Sequence, residues 1–311
     1  MELYQLRGFI AVAEAGHLTR AAEKIHVSQP ALSAQIKALE DEFELALFER
    51  TPGGMELTFA GQRLLAGAEK VLAAAQRLRN EASALKGKTS GTVSVGTLTD
   101  PWLIRIGEFL SIMVERHPLL QLELQHEISG AAFAKVRDGE LDAGFYFGAL
   151  AHPGMDGLRL RGIVYRVAAP AAWKDRVVDA DWDEIAALPW IVTPQISTHH
   201  KLVRSLFDKH GIVPTQVVEA DQEFVIANLV GSGVGLSLIR EELALEKEGA
   251  GEVCLWRDVR IQTDLWFIYR AERRGDPVIK AMLDVLAATW KLGAARETGG
   301  AQGRRTELNT A

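Results

Sequence analysis

Residues 18–58 limit what this chain can fold into more than any other stretch. Thr19 opens a short apolar pattern through Ala21, Ala22 and Ile25, which can pack inward over two turns. His26-Val27 interrupt it. Ser28 can then cap a second helix, with Pro30 in its first turn, where a missing N–H costs nothing. Leu32, Ile36 and Leu39 follow at i, i+4 and i+7, so one face of that helix is buried and Gln29, Ser33 and Lys37 occupy the other. Arg50-Thr51-Pro52-Gly53-Gly54 reads as a hairpin wing. Two helices across a tight turn with a wing at the flank suit insertion of the second helix into the DNA major groove, with Arg50 placed for a phosphate. The same residues would also fit an ordinary helical hairpin in which Ser28 is only a cap.

The order Leu6, Phe9, Val12, Ala13, Gly16, Ala21-Ala22, Ser28-Gln29-Pro30-Ala31-Leu32-Ser33, Leu39-Glu40, Leu47-Phe48, Arg50, Leu57-Thr58 and Gly61 resembles the winged helix-turn-helix of LysR-type transcriptional regulators. The chain departs from that pattern at His17, where the family usually has a small hydroxyl residue, and at Ala34, where many members carry Arg. The residues expected at DNA are Thr19, Arg20, Ser28, Gln29, Pro30, Ser33, Lys37, Arg50 and Thr51. The implied partner is double-stranded DNA with a pseudo-palindromic operator, and RNA polymerase is a further candidate. Residues 1–60 hold five basic and nine acidic side chains. The basic footprint usual in a DNA-binding domain is therefore absent in bulk. Binding must rest on a local basic face of Arg20, Lys37 and Arg50, with a shallow salt dependence.

Thr58 can cap a helix running to Lys86, roughly 43 Å long. Leu64, Ala68, Val71, Ala75, Leu78, Ala82 and Leu85 follow alternating spacings of four and three, an a/d heptad seam. The other faces are polar. A dimerising linker is the expected role, giving a homodimer or homotetramer and two recognition helices for two half-sites. A single amphipathic helix lying on its own domain is the alternative.

After Gly87-Lys88-Thr89-Ser90-Gly91 the pattern changes to short β-rich runs alternating with helices, which implies an α/β fold with mainly parallel sheets. Gly91-Thr92-Val93-Ser94-Val95-Gly96, His117-Pro118, Asp138-Gly139-Glu140-Leu141-Asp142 and Leu229-Val230-Gly231-Ser232-Gly233-Val234-Gly235-Leu236 resemble successive landmarks of the LysR-type effector domain. That resemblance implies two α/β lobes similar to periplasmic solute-binding proteins, joined by crossings near Arg161–Arg166 and Leu265–Tyr269. The expected organisation is multidomain: an all-α winged helix-turn-helix at 1–58, a linker helix at 59–86, and a two-lobed α/β domain at 87–292. Lobe I spans about 91–162 and 269–292, lobe II about 163–268, and 293–311 form a disordered tail.

Ligands of open α/β sheets meet the carboxyl ends of strands, where helix N-termini converge. Thr97, Thr99, Ser129, Ser197 and Thr198 stand at such turns, and Phe145 or Phe147 could wall the site. Free N–H groups there suit a small organic effector, a carboxylate or a zwitterion. Asp100 would oppose a simple anion and suit an amine or zwitterion if it faced the cleft, and otherwise caps the helix that follows it. Each hydroxyl could equally be an N-cap.

No apolar run reaches the length of a membrane span, and no basic segment followed by an apolar core suggests export, so a cytoplasmic protein without membrane contact is expected. Adjacent His199-His200 point apart on a helix and carry no companion ligands, so no metal is expected and no cofactor beyond the effector. Gly231–Gly235 lacks the Lys-Ser/Thr of a phosphate-binding loop, and no Gly-x-Ser-x-Gly elbow is present, so no enzyme is expected. The lone Cys254 reads as a core residue. A solute-binding protein would share the two lobes, but the first 86 residues oppose it.

Overall fold

The structure is a computed structural model that describes residues 1–84 and 90–292. The chain divides into two compact units, one formed mainly by Met1–Thr92, the other by Val93–Arg137 and the chain from Leu141 on.

In the first unit, α1 (Leu3–Ala15), α2 (Leu18–Lys24) and α3 (Gln29–Phe43) precede a hairpin of β1 (Phe48–Thr51) and β2 (Gly54–Leu57), then α4 (Phe59–Ala84). α1 stops at Gly16, whose φ of 65° is open to glycine at little cost. His26 takes the left-handed conformation in the turn between α2 and α3. Ser28 caps α3, its Oγ accepting from Ala31 N–H at 3.3 Å. Glu40 Oε1 accepts from Leu47 and Phe48 N–H at 2.7 and 3.1 Å, tying the wing to α3. Leu6, Phe9, Val12, Leu32, Ile36, Leu39, Leu47 and Phe48 close a single core. Gly54 is required beside Gly16 and His17: a Cβ there would fall 2.3 Å from Gly16 O.

The second unit runs β3 (Gly91–Thr97), α5 (Ile106–Arg116), β4 (Leu120–His126), α6 (Ser129–Asp138), β5 (Ala143–Phe147) and β6 (Met155–Pro170). It continues with α7 (Lys174–Val177), α8 (Trp182–Ala187), β7 (Pro189–Val192), α9 (Thr198–Asp208), β8 (Thr215–Glu219) and α10 (Glu223–Gly231). β9 (Ser237–Arg240), α11 (Glu241–Gly249), β10 (Val253–Arg270) and α12 (Pro277–Thr289) complete it. Six strands lie in the order β4-β3-β5-β10-β6-β9, and β7 pairs with β8. β5 and the C-terminal part of β10 build lobe I, while β9 and the adjoining part of β6 build lobe II.

Two expectations are corrected. The sheet is mixed, because β6 and β10, which cross between the lobes, run antiparallel to each other. The second crossing also comes earlier than Leu265–Tyr269, since those residues already pair with β5 in lobe I. β10 is one continuous strand because a bulge between Leu255 and Arg260, with Arg257 at φ 49°, absorbs the charged stretch without ending it. No helix among the described residues is long and apolar enough to cross a membrane. The expected tail at 293–311 lies outside the described residues.

Candidate functional site

Arg20 on α2, Gln29 and Lys37 on α3, and Arg50 on β1 are exposed, and Arg20, Lys37 and Arg50 have no carboxylate partner among the described residues. Several acids are engaged away from them. Glu14 pairs with Lys24 at 2.7 Å, Glu40 holds the backbone of the wing, and Glu56 accepts from Thr51 Oγ1 at 3.1 Å. Glu49 precedes Arg50 on β1 and so projects to the opposite side of the strand. A local basic face thus coexists with an acidic domain. Thr19 and Pro30 are exposed and Ser33 is half-buried. Ser28 and Thr51 have their hydroxyls committed to the cap and to Glu56. Ala34 is exposed with no polar atom to offer, and His17 packs against the wing at Gly54.

The heptad seam of α4 is divided. Ala68 is buried and Leu64 partly buried in the core of their own unit, together with Leu65 and Leu72. α1 covers that part of the stripe, so Leu64 and Ala68 are unavailable to a partner helix. Val71, Leu78 and Ala82 are exposed, Leu78 at 68 %, and Ala75 is half-buried. Leu85 lies outside the described residues.

In the second unit, a cleft of about 90 Å³ opens between the lobes. Lobe I supplies Leu98, Thr99, Asp100, Glu127, Ser129 and Phe147, and lobe II supplies Thr193, Ser197, Thr198, His199, Asp221 and Glu223. Tyr165 comes from the crossing strand β6. Polar contacts at Thr198 and at Arg240 span the lobes. Thr198 Oγ1 donates to Phe147 O at 2.6 Å and lies 3.3 Å from Ser129 Oγ. Arg240 Nη2 donates to Asp100 Oδ2 at 2.5 Å, while its Nε pairs with Glu223. Asp100 also caps the turn before α5, accepting from Trp102 and Leu103 N–H at 3.0 Å each. Its charge in the cleft is therefore matched by a buried guanidinium.

Ser197 Oγ accepts from His199 N–H at 3.1 Å and caps α9. Thr99 Oγ1 lies 3.0 Å from His126 Nε2. Burial pushes the His199 imidazole down to about 4, so it is neutral at pH 7, and its Nε2–H donates to Leu238 O at 2.8 Å. Burial raises the Glu223 carboxyl above its usual range, against the opposing pull of Arg240. Burial also raises the Tyr165 hydroxyl, reinforced by Glu223.

Two expected residues lie elsewhere. Thr97 is absent from the cleft lining and its hydroxyl donates to Gln125 O of the neighbouring strand at 3.2 Å. Phe145 is fully buried mid-strand, edge-on to Phe267 at 5.3 Å, whereas Phe147 at the strand end reaches the cleft. Tyr165, Glu223 and Arg240 were not among the expected residues. Glu223 opens α10 just beyond β8, so the strand-to-helix rule already applied to Thr198 would have found it.

A profile described as the LysR substrate binding domain matches residues 86–291, and one described as the bacterial regulatory helix-turn-helix of the lysR family matches 3–62. The chain belongs to the LysR family. Among its LysR relatives, the transcriptional regulator BenM of Acinetobacter baylyi is 30% identical over 77% of this chain and 80% of that protein. The Hca operon transcriptional activator HcaR of Escherichia coli is 31% identical over 77% and 81%. A full-length OxyR point variant from Pseudomonas aeruginosa aligns at TM-score 0.63 and 25% identity, covering 94% of this chain and 95% of that one. CbnR complexed with its target DNA aligns at TM-score 0.62 and 24% identity, covering 93% and 100%. This LysR chain is a DNA-binding transcriptional regulator with an effector-binding domain.

Proposed function

We propose that this LysR regulator works in the cytoplasm and senses its effector in the interlobe cleft lined by Asp100, Tyr165 and Thr198. The observation that carries this reading is the pair of interlobe contacts at the cleft, Thr198 to Phe147 and Arg240 to Asp100. A ligand seated beside them changes the relative free energy of lobe arrangements, and that population shift is what alters promoter activity. Gln29 and Ser33 read base edges, while Arg20, Lys37 and Arg50 hold phosphates. Two chains pair through the exposed Val71, Leu78 and Ala82 side of α4, so that two recognition helices meet two half-sites.

The test is fluorescence anisotropy on operator DNA with and without effector, using Thr198→Val. Valine keeps the shape of threonine and removes the hydroxyl. Basal DNA binding should persist, while loss of the interlobe bond to Phe147 O weakens the closed arrangement and with it effector affinity by about 0.5–1.5 kcal/mol. A Thr198→Val protein with unchanged effector response places the sensing site outside this cleft.

A further inference from the structure

The cleft is rich in carboxylates and poor in free cations. Asp100, Glu127, Asp221 and Glu223 line it, and among the described residues no lysine or arginine does. Three of the four are compensated from behind. Arg240 serves Asp100 and Glu223, and Lys135 serves Glu127. Asp221 is exposed at the rim and has no cationic partner among the described residues. His199 adds no charge, because its ring is buried, neutral and bonded to Leu238 O. An anion entering this space would meet an uncompensated carboxylate and no free counter-charge.

The groups that could have welcomed an anion are already engaged. Ser129 Oγ accepts from Phe147 N–H at 2.8 Å and Thr198 Oγ1 donates to Phe147 O. Gly130, the next residue of α6, is pressed against lobe II, where a Cβ would fall 1.7 Å from Ile196 O. One polar group does await a ligand. Tyr165 is 5 % exposed, lines the cleft, and its hydroxyl has no hydrogen-bond partner among the described residues. It stands opposite Arg240 in the pairing of β6 with β9. The hydroxyl opens on the cleft, where the polar group of a ligand can take the place of water as its partner.

We propose that the effector is a small organic cation, an amine whose ammonium group meets Asp221 and whose polar far end bonds the Tyr165 hydroxyl. This inference rests on the interlobe cleft being the effector site. It differs from the carboxylate or zwitterion expected from the sequence. The cleft volume of about 90 Å³ restricts the ligand to a compact molecule unless the lobes part.

Three probes of matched length and different charge test it: 4-aminobutan-1-ol, butane-1,4-diol and 4-hydroxybutyrate, titrated into the full-length chain and followed by ligand-observed NMR. The amino alcohol should bind about tenfold more tightly than the hydroxy acid, attraction to Asp221 and repulsion of the anion each contributing a few-fold. Asp221→Asn should collapse that preference, and Tyr165→Phe should weaken all three probes about equally. Thr99→Trp, which fills the cleft, serves as the site control. If 4-hydroxybutyrate binds best and Thr99→Trp abolishes it, the cleft is the effector site and the charge assignment is overturned. If the best probe ignores Thr99→Trp, or no probe binds at tens of millimolar, the cleft assignment itself is overturned.

Discussion

Replacing Asp100 by Asn separates two tasks performed by one carboxylate. Its Oδ1 accepts from the N–H groups of Trp102 and Leu103, closing the turn before α5, while its Oδ2 meets Arg240 from the other lobe at 2.5 Å. Asparagine retains the first acceptor and turns an NH₂ toward the guanidinium, which offers only donors. The side chains of Arg240 and Asp100 are 7% and 14% exposed, so water screens the lost interaction little. Arg240 keeps Glu223, and its charge is not stranded. The expected cost is therefore that of one charge-assisted hydrogen bond, about 1.5–3 kcal/mol. Stripping a buried charge of its last partner would cost about 3–5 kcal/mol instead. At about 2–4 °C per kcal/mol for a unit of this size, calorimetry should show Tm falling by about 3–12 °C. Hydrogen exchange should rise at the cleft ends of β3 and β9 rather than in the lobe cores. Asp100→Ala removes the cap as well and should cost about 1 kcal/mol more. A variant Asp100→Asn that melts with the parent, or one that loses as much as Asp100→Ala, would refute this division of labour.

Three further outcomes are expected. Gln29→Ala or Ser33→Ala should cost about 1–3 kcal/mol of specific DNA binding and spare non-specific binding, whereas Arg50→Ala should weaken both and flatten the salt slope by about one. Anisotropy across a salt series on operator and scrambled duplexes decides this, and a changed sequence preference in Arg50→Ala alone would reverse the assignments. Leu78→Asp should give monomers with both units folded by light scattering and circular dichroism, while Ala68→Asp should unfold the first unit, because Ala68, unlike Leu78, lies in the core of its own unit. The His199 imidazole sits at about 4 in the fold against an ordinary 6.5, so the unfolded chain binds more protons between those values. Its contribution is full above pH 6.5 and is lost as pH falls toward 4, about 3 kcal/mol at most. Urea melts from pH 7 to 5 should show this slope flattened in His199→Gln, and an unchanged slope assigns it to other groups.

Local signals were legible wherever one short segment settles its own structure. Ser28 before Pro30 sets the start of α3, Leu32, Ile36 and Leu39 set its buried face, and Gly54 allows the close approach of the wing to Gly16. These are choices of cap, period and backbone freedom that neighbouring residues determine among themselves. The heptad spacing of α4 likewise announced an apolar stripe. It could not say which part of that stripe α1 would cover, because periodicity reports which face avoids water and not what shields it.

Tertiary structure alone decided the rest. A bulge at Arg257 carried β10 through a charged run that reads as a break, since unpaired strand backbone is costlier than a locally irregular ladder. The cleft assembles Asp100, Tyr165 and Glu223, with Arg240 behind them, from segments up to 140 residues apart. Each of these side chains, read in sequence, is an ordinary cap, strand residue or charge. Their shared role comes from two crossing strands that bring both lobes to one point, where burial makes a single guanidinium answer two carboxylates.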